Sequence, residues 1–385
     1  MRIKHTAFAA LLFISSFAGA QTVSQARQVV DTLTSSFFWG RGYTNSGMQK
    51  AATYISGQYQ QYGLLPLKGD SYLQQFSYPV NTFPGQMQVT INGTVLTPGR
   101  DFIVGPESAG FSGSVELEQQ DSTHFINVKN RVLIELKDKL TWSVSTVVAG
   151  YTVVYVDRKS VEDAPKKAEL KIENKQVGSF KTANVCGMVK GTERPDSFIV
   201  MTAHYDHLGG MGSQTYFPGA NDNASGIAVL LGLAQYYAQH PARYSMVFIA
   251  FAGEEAGLLG SKHFTEKPLL DLKSIKFLTN IDLAGTGVEG ITVVNATEFP
   301  AAFKTLNEVN DRDSLLVKIN ARGKAANSDH YWFTEKGVPS FFMYTLGGIK
   351  AYHDVFDISA TLPLDEYEDL STLIIRFNER MINGG

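Results

Sequence analysis

The chain has 385 residues, a formal net charge of −3, 44% hydrophobic residues and a single cysteine, Cys186. The charge balance argues against a nucleic-acid partner, the length allows one large domain or two modest ones, and a lone thiol excludes an intramolecular disulfide. Cys186 reads as a core residue.

Residues 1–20 carry Arg2 and Lys4, an apolar run from Ala7 to Phe17, and then Ala18-Gly19-Ala20 ahead of Gln21. This is the layout of a secretory signal peptide, and its apolar run is shorter than the ~20 residues a membrane span needs. No later run has bilayer length. The mature chain is therefore expected to start at Gln21, to be exported without a membrane anchor, and, lacking disulfides, to reside in a bacterial periplasm or outside the cell.

Over residues 24–33 and 48–62 apolar positions recur at helical spacing, the second helix stopping at Gly63. Residues 21–75 are assigned to the catalytic domain as its N-terminal helices. The texture changes over 76–183. QMQVTI, a turn at Asn92-Gly93 and TVLTP read as a hairpin, while NRVLIEL and YTVVYVD read as further strands. Asn92-Gly93-Thr94 also fits a glycosylation sequon, the turn being the simpler reading. The charged run 157–175 reads as a solvated face or linker. This segment is expected to be a β-rich insert forming a lid over a cleft.

Residues 184–385 carry the chemistry. The short apolar run SFIVMTA reads as a buried strand ending at His204. PGANDNASGIAVLLGLAQYY places Asp222 in a loop feeding a helix N-terminus. YSMVFIAFA is a second buried strand, delivering Glu254 and Glu255. IKFLTNIDLAG ends at Asp282, and PSFFMYTLGG feeds the loop AYHDVFD, which holds His353. In open α/β sheets, sites form outside the carboxyl ends of parallel strands, so these units aim their donors at one crevice. Two imidazoles and three carboxylates, with one carboxylate left over, suit a borderline metal such as zinc. Five ligands exceed one open catalytic zinc and suit two metals sharing a bridging carboxylate.

The motifs HYDH, NDNASG, AFAGEEAGLLGS, NIDLAG, SDHYWF and YHDVFD stand in this order. Over roughly residues 184–370 they make the sequence similar to the M28 metallopeptidases, a family of co-catalytic zinc aminopeptidases. The resemblance implies an α/β fold of the zinc-dependent exopeptidase type, with a mixed, mostly parallel sheet sandwiched by helices. It implies two Zn2+ ions, with His204 and Asp282 on one, Glu255 and His353 on the other, and Asp222 bridging. Glu254 becomes the general base, taking a proton from a metal-bound hydroxide source and passing it to the leaving amine. Asp206 becomes the carboxylate orienting the His204 imidazole, and Tyr352 a donor to the oxyanion. Ser328, Asp329 and His330 are expected either to shape the substrate side of the cleft or to be structural, and the substrates to be peptides with a free N-terminus. The β-rich segment resembles, loosely, the protease-associated insert of larger members.

Ordinary readings compete with each of these. Adjacent glutamates usually mark a charged helix start, but here a buried strand precedes Glu254 and Glu255. The family pattern uses only the first histidine of HYDH, which leaves His207 outside the ligand set, and His124, His240 and His263 read as surface residues. A glutaminyl cyclase, a one-zinc acyltransferase, resembles this chain too, yet has tryptophan before its last histidine ligand where this chain has Tyr352. A metal-free binding module would have lost ligands that are all present here. Because no expected ligand lies in the insert, its excision is expected to spare metal binding.

Overall fold

Four strands, Arg194–His204, Tyr244–Phe251, Ile275–Ile281 and Ser340–Thr345, set the architecture of the protein in a computed structural model that describes residues 22–384. The expected signal peptide lies outside the described residues. The strands are mutually parallel, and Arg194–His204 sits between the other two that carry ligands at their ends, Tyr244–Phe251 and Ile275–Ile281. Successive side chains on a strand point to opposite faces, so a strand without polar alternation must be covered on both. Ile199, Met201 and Ala203 accordingly join one core and Val200 another. The first core lies under α1 (Val23–Thr34), α2 (Gly47–Tyr62), α3 (Gly226–Gln239), α5 (Pro300–Asp313) and α7 (Tyr367–Asn383). The second lies under α4 (Leu259–Glu266) and α6 (His330–Glu335), through Phe264 and Phe333.

The two N-terminal helices form where the spacing predicts them. Thr22 and Gln25 close a capping box on α1, and α2 ends at Gly63 with φ 79°, the left-handed conformation that glycine adopts without a Cβ penalty. The sheet is mixed. Its centre is parallel, but Lys175–Val189 runs antiparallel to Tyr244–Phe251, and Ile291–Val294 runs antiparallel to Ser340–Thr345. Among the described residues the sheet has nine strands. Cys186 is buried in it, opposite Ile249.

The insert proves narrower than 76–183. Leu73–Thr82 pairs with Lys175–Val189 as an antiparallel ribbon continuous with the main sheet. Between these strands, a five-stranded and a four-stranded sheet enclose their own core, including Val89, Phe102, Ile134, Val154 and Leu170. Leu208, Met211 and Phe217 from the catalytic part complete that core. The hairpin forms as expected, Ile91 opposite Thr94, with Asn92 and Gly93 at φ 50° and 88°. The Asn92 amide accepts from the backbone N–H groups of Lys166 and Lys167 and donates to the Ala164 carbonyl, as a turn asparagine does. The charged run 157–175, expected to be solvated or a linker, instead contains the strand Lys167–Ile172 at the centre of the four-stranded sheet. Its lysines and glutamate alternate with Ala168, Leu170 and Ile172, all buried, so the charges occupy one face only.

Candidate metal centre

His204 is the last residue of its strand, and Asp282 directly follows Ile281. Glu254 and Glu255 follow Phe251, Asp222 lies in the irregular turn Ala220–Ser225 before α3, and His353 lies in the loop after Thr345. The five expected ligands converge. His204 Nε2 lies 3.4 Å from Asp222 Oδ1 and 3.3 Å from Asp282 Oδ1. His353 Nε2 lies 3.1 Å from Asp222 Oδ2 and 3.2 Å from Glu255 Oε2. Asp222 therefore turns one oxygen toward each histidine–carboxylate pair.

Two residues that the sequence reading did not single out hold the Asp222 turn. Arg41 is fully buried, and all five of its N–H donors reach main-chain carbonyls: Tyr205, Leu33, Pro218, Gly219 and Asp222. Burial lowers its pKa to about 10, against the pull of Asp222 and Asp357, so it stays charged near neutrality. Asp357 accepts the backbone N–H groups of Asn221 at 2.8 Å and Asp222 at 3.0 Å. It closes the quoted YHDVFD motif, which is the signal by which it was findable. Arg41 has only the flanking glycines of WGRGYT to mark it. Gly219, at φ 61°, has no room for a side chain, because a Cβ would sit 2.2 Å from the Asp222 carbonyl oxygen.

Several expected roles are altered. Asp206 is buried beside His204, but the imidazole Nδ1 is 3.1 Å from its main-chain carbonyl and 3.9 Å from its carboxylate. The carboxylate instead accepts the N–H groups of Glu254 and Glu255, fixing the turn that bears both. His207, left outside the ligand set, is fully buried with Nδ1 2.7 Å from Glu255 Oε1, so it backs that carboxylate. Ser328, Asp329 and His330 do not shape the cleft surface. All three are buried, Ser328 accepting from Asn280 at 2.7 Å behind Asp282. They start α6, whose apolar packing against the sheet turns them inward.

The cleft itself is a cavity of about 510 Å³ walled by Leu283, Arg322, Asn327, Phe342, Tyr344 and Tyr352 around the expected ligands and Glu254. The Tyr352 ring stacks on His353 at 4.0 Å. Partial burial of a side chain that is still 43% exposed, with Asp222 and Glu255 adding, raises the pKa of its hydroxyl and keeps it a hydrogen-bond donor. A cavity of about 560 Å³ in the insert, lined by Lys137, Lys139, Tyr151 and Tyr155 among others, contains none of these groups.

Electrostatics show what this arrangement calls for. Burial opposes charge on His204, yet Asp282, Glu254 and Asp222 hold it well above the usual imidazole range. The same contest, with Glu255 and Asp222 as the carboxylates, places His353 at about 11. Glu254 is driven up by burial, and Asp329, Glu255 and Asp282 drive it further. Glu255 stays well below the usual range despite burial, through His353 and His207. Without added cations this is a buried cluster in which carboxylates outnumber imidazoles, and Asp282 Oδ1, although 3.3 Å from His204 Nε2, makes no well-formed hydrogen bond among the described residues. The ligand atoms of His204, Asp222 and Asp282 all lie within 4.8 Å of one another. This donor set fits a divalent metal that accepts nitrogen and oxygen.

The insert touches the centre directly. His353 Nδ1 donates to the Trp142 carbonyl at 2.9 Å, and the Trp142 N–H donates back to the His353 carbonyl at 2.9 Å. The insert holds none of the expected ligands, but it hydrogen-bonds to one of them, a contact that the expectation of unaltered metal binding after its excision did not take into account.

Comparison with known proteins gives a consistent picture. A family model described as peptidase family M28 matches residues 184–377. Aminopeptidase YwaD of Bacillus subtilis is 30% identical over 211 residues, which are 52% of this chain and 44% of that protein. A probable zinc metalloprotease of Pyrenophora teres is 37% identical over 103 residues, 26% of this chain and 22% of that protein. The chain thus spans less than half the length of these curated relatives. Among solved structures, BSAP, a zinc aminopeptidase from Bacillus subtilis, superposes with a TM-score of 0.71 at 20% identity, covering 93% of this chain and 95% of that one. A peptidase M28 precursor from Shewanella amazonensis gives 0.70 at 15% identity, covering 94% and 93%. At these identities the structural likeness is one of fold.

Proposed function

Because the chain belongs to peptidase family M28, we propose that it is an exported aminopeptidase that works with two zinc ions and hydrolyses the N-terminal residue from peptides. The observation that carries this reading is the position of Asp222, with one oxygen toward His204 and Asp282 and the other toward His353 and Glu255. Zinc at these residues would supply polarisation of the scissile carbonyl and a lowered pKa for an attacking water.

The remaining chemistry belongs to the chain's own side chains. Glu254 takes the proton of the attacking water and delivers it to the leaving amine. Its backbone N–H is tied to Asp206, which keeps the carboxylate at the cleft wall. Tyr352 donates a hydrogen bond from its hydroxyl to the oxygen of the scissile carbonyl as negative charge develops there, keeping its proton. The carboxylate-rich cleft attracts the free ammonium group of a peptide and repels a second anion. Export through residues 1–20 into a bacterial periplasm or medium is part of the same reading, and intact mass should place the mature N-terminus at Gln21.

The test compares one short peptide in free and N-acetylated forms, with and without a chelator. The free form should be cleaved, the acetylated form should not, and chelation should stop turnover until zinc is restored. Equal cleavage of both forms overturns the aminopeptidase assignment. Turnover indifferent to chelation overturns the metal reading, and cyclisation of N-terminal glutamine without hydrolysis replaces it by a cyclase.

A further inference from the structure

His353 is the ligand with the least help from the sheet. It lies eight residues beyond the strand Ser340–Thr345, in a loop, with φ 52°. A metal-binding imidazole must present one nitrogen unprotonated, and the partner of its other nitrogen decides which one that is. A carbonyl oxygen can only accept, so the contact of Nδ1 with the Trp142 carbonyl keeps a proton on Nδ1 and makes Nε2, facing Asp222 and Glu255, the nitrogen that can turn to a metal once it gives up its own proton. The reciprocal bond from the Trp142 N–H to the His353 carbonyl fixes the backbone of the loop as well as the ring.

The position of Trp142 is set inside the insert. Its indole Nε1–H donates to the Val104 carbonyl at 2.7 Å, and its ring stacks on Phe217 at 4.6 Å within the insert's own core. Lys139, three residues earlier, donates to the Lys350 carbonyl at 2.9 Å and lies 3.7 Å from Asp354. Contacts from one insert loop thus flank His353 on both sides in sequence. His204 differs: its Nδ1 is held by the Asp206 carbonyl, two residues along the same strand end.

We propose that the β-rich insert is a positioning element of the metal centre, and that Trp142 is the positioning residue on which retention of the zinc at Glu255 and His353 depends. This rests on the two-zinc reading above. With the indole anchor gone, the loop loses the fixed carbonyl that selects the His353 tautomer, and the affinity of that half-site falls while the His204–Asp282 half keeps its metal. Loss of an outer partner of a ligating histidine weakens metal binding by about 10- to 100-fold.

The experiment uses the full-length mature protein as wild type, Trp142→Ala, Trp142→Phe and, as a control, Leu170→Ala, which opens the same insert core in the other small sheet. Zinc equivalents are counted by elemental analysis, and zinc affinities are measured by competition with a chromophoric chelator. Wild type should hold two equivalents. Trp142→Ala should keep one at wild-type affinity and bind the second about 10- to 100-fold more weakly. Trp142→Phe, which keeps the stack and loses the indole hydrogen bond, should fall between, and it carries the test if the alanine variant does not fold. Leu170→Ala should melt earlier and still bind both zincs at wild-type affinity, a separation that a purely structural role for the insert would not produce. Wild-type affinity for both zincs in the Trp142 variants overturns the proposal, as does equal weakening in Leu170→Ala. A wild-type protein with one zinc overturns the two-metal reading itself, and the half-site claim with it.

Discussion

The proposed two-metal reading gives the centre two halves with the same kinds of donor, one imidazole and one carboxylate each beside Asp222, but the structure holds those residues by different means. His204 and Asp282 are products of strand ends in the buried middle of the sheet. Glu255 follows a strand-end turn pinned by Asp206, and His353 comes from a loop steadied by another module. A ligand at the end of a central strand inherits the rigidity of the sheet. One on a loop needs its orientation supplied from outside, so the two halves should differ in how readily a distant change reaches them.

The largest effect expected is one that cancels this difference. Arg41→Met removes five donors from buried carbonyls, including that of Asp222, the residue common to both halves. Each abandoned acceptor costs about 1–3 kcal/mol before relaxation, so denaturant unfolding should register a loss of at least about 3 kcal/mol. Any folded fraction should bind both zincs more weakly to a similar degree. Selective weakening of one half would show that the Asp222 turn does not depend on this guanidinium.

Glu254→Gln should leave both halves loaded and lower kcat by at least ~10²-fold, the usual worth of a general base. Steady-state kinetics beside a zinc count decide it. Near wild-type kcat with full zinc would remove Glu254 from its role.

The smallest effect is a dependence on pH. In the metal-free protein the carboxylates raise both His204 and His353, the latter to about 11, so both imidazoles are protonated near neutrality and must release protons to bind zinc. Apparent zinc affinity should therefore rise with pH, by about tenfold per unit for each proton released, and should be measurable by titration at pH 6, 7 and 8. The metal-free fold behaves oppositely. A pKa raised in the folded state stabilises fully below the unfolded value near ~6.5 and is lost as pH climbs through the folded value. The chelated protein's Tm should accordingly drift down from neutrality toward pH 11. Zinc affinity independent of pH would contradict the protonated cluster.

Four of the five expected ligands were legible in the sequence because a buried strand leads to each, and a run such as YSMVFIAF declares itself by composition alone; Asp222 instead stood out as a carboxylate in a loop feeding a helix. Asp206 was legible as a neighbour of His204, but not which of its oxygens would face the ring, since that depends on where the backbone turns after the strand. The inward turn of Ser328, Asp329 and His330 was hidden for a similar reason: a six-residue helix has too little periodicity to announce its buried side. KAELKI was misjudged through its net charge, although its alternation is plain once period two is sought. Arg41 donates to main-chain carbonyls, most of them far away in sequence, and Trp142 offers its own carbonyl to a distant histidine, and a carbonyl leaves no trace in side-chain identity.

The stretch matched by the family model, residues 184–377, contains every expected ligand and neither Arg41 nor Trp142. A gene trimmed to that stretch would encode the ligands without the guanidinium that gathers the Asp222 turn or the loop that aims His353. It would also lack Leu73–Thr82, the strand hydrogen-bonded to Lys175–Val189. The stretch that the family model matches and the stretch that holds the contacts around the centre are then not the same length of chain. During synthesis the N-terminal third must wait, already made, for the ligands it will organise, and the centre closes only when the last of them, His353, has emerged.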